Sequence, residues 1–138
     1  MIEYDKFQKS LKHLELQFEN YSDLDESLPQ ITQEAIAESV IQRFETCYDC
    51  LWKVLKRYLS EGLGLPEVPN SPKPVFKLAN ENQLFSSDIE QWLNYADLRV
   101  GTSHDYSGEK AQKALDKMEA FIDDAIGLYQ TMSGGTWD

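Results

Sequence analysis

The fold is decided by one stretch, residues 35–59, which reads AIAESVIQRFETCYDCLWKVLKRYL. Its apolar residues form two adjacent stripes at helical spacing. The first stripe is Ala37, Val40, Phe44, Cys47, Leu51, Val54 and Tyr58, and the second is Ile41, Tyr48, Trp52, Leu55 and Leu59. One core-facing surface needs only one stripe. The pattern therefore predicts a long helix, from about Gln30 to Glu61, that is either central in a bundle or shared with a second copy of the chain.

Apolar residues recur at helical spacing both before and after this stretch, and no strand pattern is present. Further helices are predicted over residues 4–21, 72–83, 88–100 and 108–132, with Ser71, Ser87 and Ser107 as candidate N-caps and Gly101 as a stop signal. Together they predict an all-α fold: an antiparallel up-and-down four-helix bundle with an additional short helix. A single domain spans residues 1–132, and residues 133–138 are expected to be a flexible tail.

Composition and charge disfavour several classes of function. A net charge of −11 opposes sequence-independent binding to DNA, to RNA backbones or to an anionic membrane surface. No apolar run is long enough to span a membrane, and the N-terminus has no signal-peptide pattern, so a cytoplasmic location is expected. Cys47 and Cys50 lie within a helix as C-x-x-C and are expected to be structural thiols rather than a metal or redox site. His13 is expected to be an ordinary surface histidine.

Two charged residues interrupt apolar stripes and need partners. Glu45 falls inside the second stripe of the long helix, where an unpaired carboxylate would be costly. Arg43 and Lys53 are the nearest opposite charges on that helix. Arg99 extends the apolar face of the next-to-last helix, three residues after Ala96, so it requires an acidic partner or a ligand.

Arg99, His104 and Tyr106 form the candidate functional site. A guanidinium can bind a phosphate through paired hydrogen bonds, and a neutral histidine can take a proton from a ribose hydroxyl. Such a pair could cleave RNA by general acid–base catalysis without a metal. The phenol of Tyr106 could serve as a nucleophile or a modification acceptor. The alternative is a polar loop with a salt-bridged arginine and no chemistry.

The chain resembles the nucleotidyltransferase substrate-binding proteins of the HEPN superfamily, which include the HepT-type toxins. The resemblance spans nearly the whole chain and rests on residues 41–45 (IQRFE), residues 51–56 (LWKVLK), Ser71-Pro72, Trp92 and the spacing Arg99-x4-His104-x-Tyr106. It implies a homodimer with a minimal nucleotidyltransferase as partner. It also implies binding roles for Arg43, Glu45, Trp52 and Lys53, with no metal site and no cofactor.

The resemblance leaves three functions open. The first is a substrate- or nucleotide-binding subunit of the transferase, in a toxin–antitoxin-like complex in which Tyr106 receives AMP. The second is a metal-independent endoribonuclease that uses Arg99 and His104. The third is a purely structural interaction module. The family usually has a polar residue directly after the arginine, and Val100 at that position favours the first function over the second.

Overall fold

The structure is a computed structural model that describes residues 1–103 and 106–138. Within these ranges the chain forms six α-helices and no strand, which confirms the predicted all-α bundle. The helices are α1 (Asp5–Ser22), α2 (Gln30–Arg57), α3 (Pro72–Glu81), α4 (Ile89–Thr102), α5 (Gly108–Asp116) and α6 (Met118–Ser133). The bundle is built from α1, α2, α4 and the α5–α6 pair, and α3 is the additional short helix.

The central helix of the bundle is α2. Its first stripe is buried at Phe44 and Leu51, and its second stripe is equally buried at Ile41 and Leu55. Both stripes are therefore covered by other helices of the same chain. Of the two sequence interpretations, the central position is the one that the structure adopts. Only Trp52 of the second stripe stays half-buried.

The end of α2 widens into a π-helical turn, Tyr58–Gly62. A Cβ atom at Gly62 would lie 2.9 Å from Cδ1 of the Tyr58 ring, which is closer than side chains tolerate. A larger residue at this position would force the Tyr58 ring to move. The turn keeps Leu59 fully buried while the chain leaves the bundle towards α3.

Aromatic rings join α2 to the helices around it. Phe44 meets Phe121 of α6 edge to face, with ring centroids 4.9 Å apart, and Phe121 meets Tyr95 of α4 at 5.1 Å. Trp92 continues the chain of contacts at 5.4 Å from Tyr95. Edge-to-face pairs add to the stabilisation that burial alone provides. The contacts fix α4 against α2 and α6, and this packing positions the end of α4.

Three local predictions differ from the structure. The predicted helix over 108–132 is divided at Lys117 into α5 and α6, and Lys117 donates its N–H to the carbonyl of Ala114 as in a tighter turn. The N-cap of α4 is Asp88, because the Ser87 hydroxyl instead donates to Asp124 of α6. Finally, α4 continues through Gly101 and ends one residue later.

The residues after α6 contact α1. Gly134 adopts a left-handed conformation with φ 71°, a common way to end a helix. The chain then returns so that Trp137 donates its indole N–H to Glu15, 3.1 Å away, while the Lys12 ammonium lies over the indole ring. The tail thus has definite partners on α1, and its flexibility stays a prediction. Among the helices described, none is long and apolar enough to cross a membrane.

We expect Phe121→Ala to lower the free energy of unfolding by about 3–5 kcal/mol, because the substitution leaves a cavity between α2, α4 and α6. Urea denaturation followed by circular dichroism measures this change. Lys113→Ala, an exposed position on α5, is the control and should change stability by less than about 0.5 kcal/mol. Equal losses in the two variants would contradict the assigned core.

Candidate functional site

The last turn of α4 presents Arg99 to two acidic residues of α2. Arg99 Nη1 lies 3.1 Å from Glu45 Oε2, and Nη2 lies 3.2 Å from Asp49 Oδ2. Arg99 Nε also donates to Asp49 Oδ1 at 3.3 Å, so Asp49 binds the guanidinium through both oxygens. Glu45 and Asp49 are four residues apart and therefore share one face of α2. The partner that the sequence required for Arg99 is this pair of carboxylates.

Glu45 is the centre of the cluster. Its side chain is only 10% exposed, and it accepts hydrogen bonds from three residues. Oε2 accepts from Arg99 and from the Thr102 hydroxyl at 2.8 Å, while Oε1 accepts from the Tyr106 hydroxyl at 2.7 Å. A nearly buried carboxylate is stable only when such donors replace the water that it loses. Glu45 thereby ties the end of α4 and the following segment to α2.

Tyr106 is held by a hydrogen bond and still reaches solvent. It is 37% exposed, and its hydroxyl donates to Glu45. That hydrogen bond, together with slight burial and the negative charge of Glu45, raises the pKa of Tyr106, and the positive charge of Arg99 opposes the effect only in part. Tyr106 is therefore a neutral phenol at physiological pH, with a carboxylate in place to accept its proton.

The Arg99 guanidinium is strongly held and keeps some capacity for a ligand. Burial acts to lower the pKa of Arg99, but the hydrogen bonds and charges of Asp49 and Glu45 outweigh burial and raise it. Three guanidinium N–H groups point to these carboxylates within the described ranges. Among residues 1–103 and 106–138, the other donors of the fork have no protein acceptor. The side chain is 26% exposed, so an acceptor can come from solvent.

Open cavities flank the end of α4 on both sides. One, of about 730 Å³, is lined by Asp49, Trp52, Arg99 and Val100 and by the start of α3. The other, of about 600 Å³, lies between α4 and α5, and its basic residues are Lys110, Lys113 and Lys117. Both volumes lie in the range of small-ligand sites. Arg99 thus borders a space large enough for a nucleotide.

The structure brings together some of the predicted site residues and separates others. Arg99, Tyr106 and Glu45 are in direct contact, and Trp52 lines the neighbouring cavity. Arg43 lies on another face of α2, where its Nη1 contacts His13 Nδ1 at 3.3 Å. Lys53 is exposed and is not among the residues that line this cavity. His104 lies outside the described residues.

Sequence reasoning missed two members of the cluster, Asp49 and Thr102. Asp49 could have been found from its position four residues after Glu45, because residues at that spacing share one face of a helix. Thr102 is fully buried three residues after Arg99, where a lone threonine in a helical pattern gives little indication of a partner.

The two cysteines have the character of structural thiols. Cys47 is buried in the core, and burial raises the pKa of its thiol far above the usual range. Cys50 is half-buried, and neither forms a disulfide. In the part of the chain that the structure describes, no three metal-ligating side chains converge.

Comparison with known proteins places the chain among helical proteins of one family. The family model described as "Nucleotidyltransferase substrate binding protein like" matches residues 2–134, and the chain belongs to this family. It is 27% identical over 106 residues to a "Probable ribonuclease HepT" from Haemophilus influenzae, a match that covers 75% of this chain and 72% of that protein.

Two solved structures share the fold. A crystal structure of a protein from Thermus thermophilus matches with a TM-score of 0.75 and 25% identity, over 91% of this chain and 98% of the other. A structure from Haemophilus influenzae, described as a substrate binding domain of a nucleotidyltransferase, matches with a TM-score of 0.85 and 24% identity, over 95% of this chain and 99% of the other.

Glu45→Gln should lower the pKa of Tyr106 towards its ordinary value, because the substitution removes the negative charge that disfavours the phenolate. Carbon-13 NMR of the tyrosine Cζ atoms, recorded against pH and assigned with Tyr106→Phe, measures the change. Asp124→Asn is the matched control, because Asp124 accepts a hydrogen bond from Tyr95 in the same way. It should change the titration of Tyr95 and leave Tyr106 as it was. A Tyr106 titration that Glu45→Gln does not alter would contradict the assigned contact.

Proposed function

We propose that this chain is the substrate-binding partner of a minimal nucleotidyltransferase and that it presents Tyr106 as the acceptor of an AMP group. The observation that carries the proposal is the exposed phenol of Tyr106, whose hydroxyl donates to the Glu45 carboxylate at 2.7 Å. Family membership supports the partner, because the family is described by nucleotidyltransferase substrate binding. The relation to the Haemophilus influenzae domain, described in the same terms, agrees with it at the level of the fold.

The transfer would use the residues of the cluster in distinct roles. The Tyr106 oxygen attacks the α-phosphorus of ATP held by the transferase, and its proton passes to Glu45. The new bond joins the tyrosine oxygen to phosphorus, while the bond to the departing pyrophosphate breaks. Glu45 is a proton acceptor within hydrogen-bond reach, as general base catalysis requires. Arg99 is close enough to interact with the charge on the new phosphodiester.

The adduct would also block the cluster. A phosphodiester on Tyr106 places a new negative charge beside Glu45 and competes with Asp49 and Glu45 for Arg99. It would occupy the solvent side of the guanidinium, where a second ligand would otherwise enter. In a toxin–antitoxin-like pair, this occupation provides a physical route by which the transferase silences the chain.

The complex we propose contains two copies of this chain. The family resemblance supports the dimer, because it implies two subunits whose arginine–histidine segments lie near each other in a cleft. Val100, next to Arg99 on α4, is apolar and 69% exposed, and burial of this side chain between subunits would be favourable. Such burial would also explain why position 100 holds an apolar valine, where the resembling family usually has a polar residue.

We expect the chain to co-purify with a minimal nucleotidyltransferase from the same genome and, with ATP, to gain one adenylyl group on Tyr106. Peptide mass spectrometry locates the adduct, and light scattering of the complex measures its stoichiometry. Tyr106→Phe should abolish the adduct, whereas Tyr21→Phe, a control on α1, should keep it. Glu45→Gln should slow adduct formation by about 10²-fold or more without preventing complex formation. A stable complex that never modifies Tyr106, or the absence of any complex, would refute the proposal.

A second candidate function is metal-independent cleavage of RNA by Arg99 and His104. Two observations favour it: the similarity to a probable ribonuclease and the guanidinium donors of Arg99 that border an open cavity. One observation weighs against it. The described part of the cluster has two carboxylates for one guanidinium, and this excess negative charge repels a phosphate backbone.

If the nuclease is active, expression of the chain alone should arrest growth, and purified protein should cut RNA in the presence of EDTA. His104→Ala should relieve both effects, with a loss of about 10²–10⁴-fold in cleavage rate, because a general base is removed. His13→Ala is the matched control and should leave cleavage unchanged. Equal cleavage, or none at all, in wild type and His104→Ala would exclude this function.

A further inference from the structure

A basic site lies between α1 and α2, away from the Arg99 cluster. Lys6, Lys9 and His13 occupy one face of α1 at a spacing of three and four residues. Arg43, Thr46 and Cys50 occupy the facing surface of α2 at the same spacing. They line a cleft of about 280 Å³, together with Ser10. Lys6 lies towards Cys50 and His13 towards Arg43, as expected for antiparallel helices. We call this feature the α1–α2 cleft.

The α1–α2 cleft concentrates positive charge on an acidic chain. The protein has 13 Lys and Arg residues against 24 Asp and Glu residues, so most surfaces expose negative charge. The side chains that line this cleft include three cations and no carboxylate. Elsewhere in residues 1–103 and 106–138, ion pairs involve other cations, namely Arg57, Lys73 and Arg99. Cations grouped without a counter-charge attract an anion from solution.

The contact between Arg43 and His13 defines the state of the histidine. Arg43 Nη1 lies 3.3 Å from His13 Nδ1, and a guanidinium can only donate. As a hydrogen bond, this contact has Nδ1 as the acceptor and leaves the ring N–H on Nε2. In this state the ring presents an N–H donor through Nε2.

The α1–α2 cleft is separate from the proposed acceptor site. Arg43 and Glu45 are two residues apart on α2, which places them about 200° apart around the helix axis. Glu45 faces α4 and Tyr106, whereas Arg43 faces α1. Ligands at the two sites would therefore contact different helices, and variants of one site can leave the other intact.

We infer that the α1–α2 cleft binds the phosphate group of a small molecule through Lys6, Lys9, His13 and Arg43. The volume suits a phosphate or pyrophosphate group and is at the lower limit of sites that enclose a whole drug-sized ligand. Arg43 supplies a planar donor pair, the two lysines supply mobile point charges, and His13 supplies the Nε2 donor. The same chemistry would accept free pyrophosphate or the phosphate chain of a nucleotide.

Pyrophosphate is the first probe, added to the full chain and followed by isothermal titration calorimetry and by NMR of the backbone amides. Binding should shift amide signals around residues 6–13 and 43–50. The double variant Lys6→Gln/Lys9→Gln should weaken binding by about tenfold or more. The control Lys56→Gln/Lys77→Gln removes the same charge from positions on α2 and α3 that line none of the cavities described above and should have less than about a threefold effect. Circular dichroism verifies that each variant is folded.

Two further probes distinguish the source of the phosphate. ATP that binds no tighter than pyrophosphate indicates a site for the phosphate group alone, and ATP that binds tighter indicates a nucleotide, so both results support the inference. Adenosine, which has no phosphate, should not bind here. Binding of adenosine but not pyrophosphate, or of RNA oligonucleotides but not pyrophosphate, would overturn it.

The histidine provides a readout that general charge attraction does not. His13→Ala removes the Nε2 donor without removing a lysine or arginine charge, so it should weaken pyrophosphate binding at a fixed pH of about 8 by about threefold or more. Unchanged binding in His13→Ala would overturn the role of His13, and signal shifts confined to other surfaces would overturn the site.

Discussion

The burial of the Glu45 carboxylate within an apolar stripe of α2 is the interaction on which the functional end of the molecule depends. A charge in that position has to be matched by donors, and the chain supplies them from Arg99, Thr102 and Tyr106. The donors come from the end of α4 and from the residues just after it. Removal of the carboxylate would therefore release three contacts at once. The single buried carboxylate of Glu45 thus couples the position of α4 to the position of the Tyr106 phenol.

The packing of the bundle prepares this arrangement. Because α2 is buried along both stripes, the backbone that carries Glu45 and Asp49 is held in place. The aromatic contacts from Phe44 to Trp92 fix the position of α4 relative to α2. Side chains whose backbone is held in this way need little reordering to make directed hydrogen bonds. The two faces of α2 then serve different purposes. One carries the acidic cluster towards α4, and the other carries Arg43 towards α1.

The sequence predicted much of the fold, because apolar spacing records which surfaces are buried. It also identified Glu45 and Arg99 as residues in need of partners, although it could not pair them across 54 positions of the chain. That pairing depends on how α4 crosses α2, which periodicity does not encode. The division of the last helix at Lys117 could not be predicted, because no glycine or proline stands next to Lys117 in the sequence. Asp49 was missed because an acidic residue on a helix usually faces solvent. The contact between His13 and Arg43 was not predicted because it depends on the packing of α1 against α2.

The hydrogen bond from Tyr106 to Glu45 has a thermodynamic consequence for any covalent change at the phenol. An esterified oxygen has no proton to donate, so the modified chain would lose this contact, and a buried acceptor that loses a donor costs about 1–3 kcal/mol. The esterified chain is therefore less stable than the unmodified chain by about this free energy. By linkage, any interaction that strengthens the hold of α4 on α2 through this hydrogen bond opposes esterification by the same free energy. The phenol that we propose as the AMP acceptor therefore also holds the end of α4 to α2. A change in its chemistry would be transmitted to the helix that carries Arg99, without any movement of the core beneath it.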